Sequence, residues 1–291
     1  MKIKYNQLVE LVNNDLHFLI DKNWMYVLNE KFISKYNYDT MENVITNKIF
    51  SKDGKSRSLH YSSEKIYIQD FCDLYEIDPL SLKITYQWKL GTDASSDICR
   101  LCFDESNIYV TIRGGIIKVI NKKDKKVHSY KISNSSSWAI SNKGQFLYIG
   151  TVNGEVIKIK KSNMEILLNK PIHKKNVYSV VIDNNLLYTI SLDGTLKMLT
   201  LKDLDIKITV KQNIANMSSI IGIYSDYIIS SNLRRRELSI WNKSDLFFIK
   251  SIQTYELSHK NIVLSKNLII SNNSKGIYSF NINDYIDRNF I

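Results

Sequence analysis

The stretch that decides the fold is Asn176 to Leu199, NVYSVVIDNNLLYTISLDGTLKML. Val177 to Ile182 is apolar and β-branched, Asp183-Asn184-Asn185 is a turn cluster, and Leu186 to Ser191 is a second apolar run. Asp193-Gly194 is a hairpin signal, because both residue types tolerate the positive φ that a tight turn of the right twist demands. Thr195 to Leu201 then alternates as a third strand, Asp203 to Asp205 turns the chain, and Ile206 to Val210 supplies a fourth. The stretch therefore predicts a four-stranded antiparallel unit.

The same pattern recurs along the chain: His17 to Tyr36, Ser58 to Ile77, Ile98 to Ile120, Ser136 to Ile159, Ser219 to Trp241 and Asn261 to Phe280. One residue near the end of each third strand serves as a ruler: Tyr36, Ile77, Ile120, Ile159, Leu199, Trp241 and Phe280. Successive spacings are 41, 43, 39, 40, 42 and 39 residues, the period of a four-stranded propeller blade. A β-sandwich or a β-helix fits that period less well. The expectation is an all-β, seven-bladed β-propeller spanning residues 1–291 as a single domain, with four antiparallel strands per blade. A lone blade cannot bury both faces, so blades stack, and a terminal strand is expected to close the ring. Lys2 to Val12 is favoured for that strand, with Tyr285 to Ile291 as its rival.

Within this frame the chain resembles the WD-repeat propellers. Ser141-Asn142-Lys143-Gly144 is similar to that family's turn after a first strand, and Leu192-Asp193-Gly194-Thr195 to its turn before a third. Leu238-Ser239-Ile240-Trp241-Asn242 resembles its closing Trp-Asp pair, while His173 and His259 stand where its histidine precedes a first strand. Only one unit keeps the ruler tryptophan and none keeps Trp-Asp intact, so the resemblance implies degenerate repeats that lack most of the family's Asp–His–Ser/Thr–Trp network.

The 291 residues carry a formal charge of +11, but only seven of the 40 basic residues are Arg. Lysine in company with Ile, Asn and Tyr is what A/T-rich codons produce, and the competing reading of the excess is a polyanion partner. No run of about 18 apolar residues calls for a membrane-spanning helix. The N-terminus lacks the apolar core of a signal peptide, and three cysteines make no disulfide framework. The protein is accordingly read as cytoplasmic, with no membrane partner.

Cys99-Arg100-Leu101-Cys102 has C-x-x-C spacing, yet on a strand its two thiols point to opposite faces, so a structural role is expected. The five histidines fall in different units without ligand spacing, and His173 and His259 read as turn caps. Gly114-Gly115 reads as a hairpin turn, and Trp24 and Trp88 as core. No catalytic residue, metal or cofactor is expected. Arg234, Arg235 and Arg236 sit between the second and third strands of their unit, and Arg57 and Arg113 are expected in loops at the same face. Trp138 and Tyr178 occupy equivalent places near the start of adjacent first strands. Arginine binds carboxylate and phosphate bidentately, and aromatics with arginine dominate interface hot spots. The expected function is a non-catalytic scaffold that takes a protein or peptide partner, acidic or phosphorylated, on that face. Nucleic-acid binding is the alternative, and an enzyme site in a central channel the third.

Overall fold

The computed structural model describes residues 6–10, 16–29, 31–51, 57–91, 97–211, 218–232, 235–254, 262–265, 268–273 and 276–286. These residues form two compact units, one of residues 1–89 with 253–291 and one of residues 90–252.

In the first unit, β2 (Leu16–Asp21), β3 (Trp24–Asn29), β4 (Phe32–Asn37) and β5 (Asn43–Lys48) make one antiparallel sheet. A second contains β6 (Arg57–Ser62), β7 (Lys65–Asp70), β8 (Asp73–Ile77) and β9 (Ile84–Lys89). A third is composite: β26 (Ile262–Ser265), β27 (Leu268–Asn273) and β28 (Gly276–Asn281) are joined by the N-terminal β1 (Asn6–Glu10), which pairs antiparallel with β28.

The second unit holds four sheets. They are β10 (Ile98–Phe103) to β13 (Val127–Lys131), through β11 (Asn107–Ile112) and β12 (Ile116–Asn121); and β14 (Ser137–Lys143) to β17 (Glu165–Pro171), through β15 (Phe146–Thr151) and β16 (Glu155–Lys160). Next come β18 (Val177–Asp183) to β21 (Ile206–Lys211), through β19 (Leu186–Ser191) and β20 (Thr195–Thr200). The last runs from β22 (Ser218–Tyr224) to β25 (Phe248–Gln253), through β23 (Tyr227–Asn232) and β24 (Glu237–Asn242).

The expected single seven-bladed ring closed by a terminal strand is thereby corrected. Six blades are built from four consecutive strands, and the remaining sheet is a composite of both chain ends. Among the described residues, which fall into two units, no closure of a ring is shown. The physical reason is that a hydrophobic period reports which strands are covered on two faces. It does not report how many covered sheets form one body.

Burial falls from the second to the fourth strand in the sheets of four consecutive strands. Second strands are buried on both faces, as in β15 and β19, where all but the first residue is buried. Fourth strands are open, β13 being exposed along its whole length. All seven ruler residues fall on third strands and pair with the second residue of their second strand, for example Ile159 with Leu147 and Trp241 with Ile228. Following that second residue, five sheets place a buried tyrosine: Tyr26, Tyr67, Tyr109, Tyr148 and Tyr188. Two of these hydroxyls donate into the next sheet, Tyr148 to Leu201 O and Tyr188 to Lys243 O, both at 3.2 Å.

At the other end of the sheets, the link between one fourth strand and the next first strand is pressed against hairpins. The amides of Ile172 and His173 both donate to Gly154 O in the β15–β16 hairpin. Gly154 has φ +87°, and a Cβ placed on it would lie 2.1 Å from His173 O. Gly144, at φ +52°, has open space around it. Gly154→Ala is therefore expected to cost roughly 2–4 kcal/mol, combining left-handed strain with a backbone collision, and Gly144→Ala only about 1 kcal/mol. Chemical denaturation of the two variants checks this, and equal losses would contradict it.

Candidate functional site

The site is built at the hairpin-and-link end of the second unit. Here the first strands β10, β14 and β18 each carry a register shift near their start, between Ile98 and Arg100, Ser137 and Ala139, and Val177 and Ser179. The residue skipped by the pairing is Cys99, Trp138 or Tyr178. A bulge of this kind turns a side chain away from the ladder that would bury it. Cys99 stays buried at its bulge, whereas Trp138 and Tyr178 are partly exposed, and their rings meet edge to face with centroids 6.2 Å apart at 83°. That geometry sets the positive edge of one ring against the negative face of the other.

Arg113, Arg235 and Arg236 stand in hairpins between second and third strands, as expected, and Arg57 does not. Arg113 lies in the β11–β12 hairpin, exposed, its amide donating to Asp97 O at 3.1 Å and its Nε 3.6 Å from Asp97 Oδ2. Arg235 and Arg236 are exposed in the β23–β24 turn, where the Arg235 amide donates to Asn232 Oδ1 at 3.0 Å and Arg236 has φ 51°. Arg113 and the Arg235–Arg236 pair thus belong to the first and last sheets of the unit, with the sheets carrying Trp138 and Tyr178 between them. Arg234 lies outside the described residues. Arg57 is not in a loop: it opens β6 in the other unit, opposite Asp70.

His173 caps its turn from the link. Its Nδ1 is 2.9 Å from Thr195 Oγ1 and 3.2 Å from Asp193 Oδ2, and its Nε2 is 2.8 Å from Thr189 Oγ1. Asp193 also accepts from the Lys174 amide at 2.8 Å. One sheet further, Trp241 Nε1 donates to Ser230 Oγ at 3.1 Å. The His173 contacts with Thr189, Asp193 and Thr195 and the Trp241–Ser230 bond thus lie in different blades. His259 lies outside the described residues.

The remaining candidates are structural. Cys99 Sγ is 3.7 Å from Asp97 O, whereas Cys102 packs between the β10–β13 and β14–β17 sheets, where burial pushes its thiol up to about 12. Trp88 is core, while Trp24 lines a cleft beneath Lys35 Nζ, 4.0 Å from its ring. Gly114 and Gly115 form the β11–β12 hairpin at φ +77° and +73°. Among the described residues no three His, Cys, Asp or Glu side chains are grouped to hold a metal, and no helix is long and apolar enough to cross a membrane.

No family model matches this chain, and no curated protein matches its sequence. Solved structures do: 1747 chains resemble it, a breadth that carries shape and not activity. One is the crystal structure of the computationally designed Ika8 protein, with a TM-score of 0.70, 10% identity, and coverage of 95% of this chain and 99% of that one. The fold is a β-propeller. At that identity the likeness shows the propeller fold alone, and the surface of this propeller must be read from its own residues.

Burial is the main influence on His173, lowering its pKa to about 4 against the opposing pull of Asp193. Burial works to raise Asp193, but the Thr195 hydroxyl, the Lys174 amide and His173 hold it below the usual carboxylate range. Between pH 6.5 and 4 the unfolded chain takes up a proton at His173 that the folded chain refuses. Unfolding free energy should therefore fall as pH drops through that window, by on the order of 3 kcal/mol. The Asp193 contribution is lost only at lower pH. Denaturation of the wild type and His173→Gln at pH 7, 5.5 and 4 tests this: the variant should be less stable at pH 7 and show a flatter slope.

Proposed function

We propose that this propeller is a non-catalytic interaction scaffold that binds a protein or peptide partner at the hairpin-and-link end of its blades. The observation that carries the reading is the Trp138–Tyr178 pair. Two large aromatics sit at repeated bulges, partly exposed and held ring against ring, with Tyr178 also braced on the core cluster beneath it. Such side chains lose little entropy on binding and dominate interface energies together with arginine. Arg113, Arg235 and Arg236 flank them on the outer sheets and supply bidentate donors for carboxylate or phosphate, which favours an acidic or phosphorylated partner.

On the same reading the blades are degenerate WD-like repeats. The His173–Thr189–Asp193 contacts and the Trp241–Ser230 bond support this, being separated parts of that family's network. The working compartment is the cytoplasm, where Cys72, Cys99 and Cys102, none of them in a disulfide, stay reduced.

The test is affinity purification with the wild type, Trp138→Ala/Tyr178→Ala, and Arg113→Glu/Arg235→Glu/Arg236→Glu, at low and moderate salt. The aromatic variant is expected to lose the partner at both salt concentrations, and the charge variant chiefly at low salt, where unscreened charge contributes most. Retention of the same proteins by both variants would remove the reading. Loss of all protein partners on nuclease treatment would replace it with nucleic-acid binding.

A further inference from the structure

A second surface lies at the opposite end of the blades, where first strands turn into second strands and third into fourth. Two clefts open there between neighbouring sheets, one in each unit, and the repeat makes them directly comparable. In the first unit Asp21 pairs with Trp24 and Tyr26 with Lys35. In the second unit Lys143 pairs with Phe146 and Tyr148 with Lys158. The two strand-borne lysines also do the same work. Lys35 Nζ lies 4.0 Å from the Trp24 ring and donates to Pro79 O at 3.3 Å. Lys158 Nζ lies 4.5 Å from the Phe146 ring and donates to Leu201 O at 3.0 Å and Lys202 O at 2.7 Å.

The charges around these matching frames differ. The first cleft is lined by Asp21, Glu64 and Asp78 together with Lys22, Lys35 and Lys65, so its charges balance. Register places Lys143 where Asp21 stands, Asn185 where Glu64 stands, Thr200 where Asp78 stands and Lys202 where Leu80 stands. The second cleft, of about 1060 Å³, is therefore lined by Lys143, Lys158, Lys202 and Lys207 and by no carboxylate. Of the acids just outside it, Asp183 pairs with Lys243 at 3.0 Å and Asp205 with Lys170 at 2.7 Å, while Asp203 is exposed and near enough to act on Lys158 but does not line the cleft. Lys158 is occupied by its two carbonyls, and Lys143 Nζ donates to Asn184 O while its side chain stays exposed, so Lys143, Lys202 and Lys207 are the exposed cations at the rim. Phe146, Leu186 and Leu201 add apolar wall between them.

From this contrast we infer that the cleft between the β14–β17 and β18–β21 sheets binds an acidic peptide segment, one apolar side chain entering between Phe146, Leu186 and Leu201 while flanking carboxylates meet Lys143, Lys202 and Lys207. Charge complementarity selects the occupant: the matching cleft with its carboxylates retained neutralises itself, and this one does not. Flexible lysines suit carboxylates spaced along a chain, where a compact bidentate anion would call for arginine. The openness of the groove suits a segment lying across it more than a small molecule, which needs most of its surface enclosed.

The experiment titrates the full chain against a fluorescein-labelled peptide of glutamates around a central leucine, followed by anisotropy at low salt. The wild type is expected to bind it, to bind the glutamine version at least tenfold more weakly, and to lose affinity as salt rises. Lys143→Glu/Lys202→Glu/Lys207→Glu should weaken binding on the order of tenfold or more, and Leu186→Ser should weaken it at unchanged salt dependence. If the triple variant does not fold, Lys202→Glu alone is expected to weaken binding about threefold. Arg235→Glu/Arg236→Glu should leave the peptide affinity unaltered, so failure here is distinguishable from failure of the aromatic surface. No binding by the wild type, or binding indifferent to the lysine substitutions, overturns the proposal. So does a single-stranded oligonucleotide that displaces the peptide at lower concentration than unlabelled peptide does.

Discussion

Burial of both faces of every sheet is the constraint on which the rest of this molecule depends. A second strand such as β15 or β19, with nearly every residue out of solvent, has no face left for water. Such a strand is stable only if a neighbouring sheet covers it on each side, so one blade dictates the next. The apolar clusters accordingly run between sheets: Tyr188, Ile190, Trp241 and Ile220 share one, and Leu147, Ile157, Tyr109 and Ile117 another. The fourth strands escape this cover, and β13 and β21 carry mostly exposed residues.

Polar groups then set how neighbouring sheets meet. At one end, link amides donate into hairpin carbonyls, and His173 fills the remaining space between the turn and its second strand. At the other end, tyrosine hydroxyls and lysine ammonium groups reach carbonyls of the adjacent blade. Each of these satisfies a group whose burial would otherwise cost roughly 1–3 kcal/mol. Both proposed binding surfaces grow out of the same devices. At one end bulged residues place Trp138 against Tyr178, and at the other a lysine held by carbonyls leaves a cleft whose charge is decided by its neighbours.

The blade pattern was legible because it depends on local spacing. Hydrophobic alternation, Asp-Gly turns and the ruler from Tyr36 to Phe280 all report positions along one strand or across one hairpin. The bulges were not legible, since skipping Trp138 or Tyr178 leaves no mark on the apolar period. The equivalence of those two residues could be read, but their edge-to-face contact could not. Arg57 was read as a loop residue because the recurring unit was begun at Ser58, and the structure starts β6 one residue earlier. The buried tyrosine after the second residue of five second strands was visible in the sequence as a recurring Met/Leu/Ile-Tyr pair. It becomes meaningful only when the acceptor, Leu201 or Lys243, is seen to lie more than fifty residues away.

By itself, the sequence determined the repeat, the strand order within each blade and the turns between strands, because these obey short-range rules of backbone geometry and side-chain alternation. Only the tertiary structure decided that β1 joins β28, that Arg113 and Arg235 stand on outer sheets, and that the three acids of one cleft give way to Lys143, Asn185 and Thr200 in its counterpart. These are contacts between sheets, set by packing and by electrostatics across gaps that no local period records.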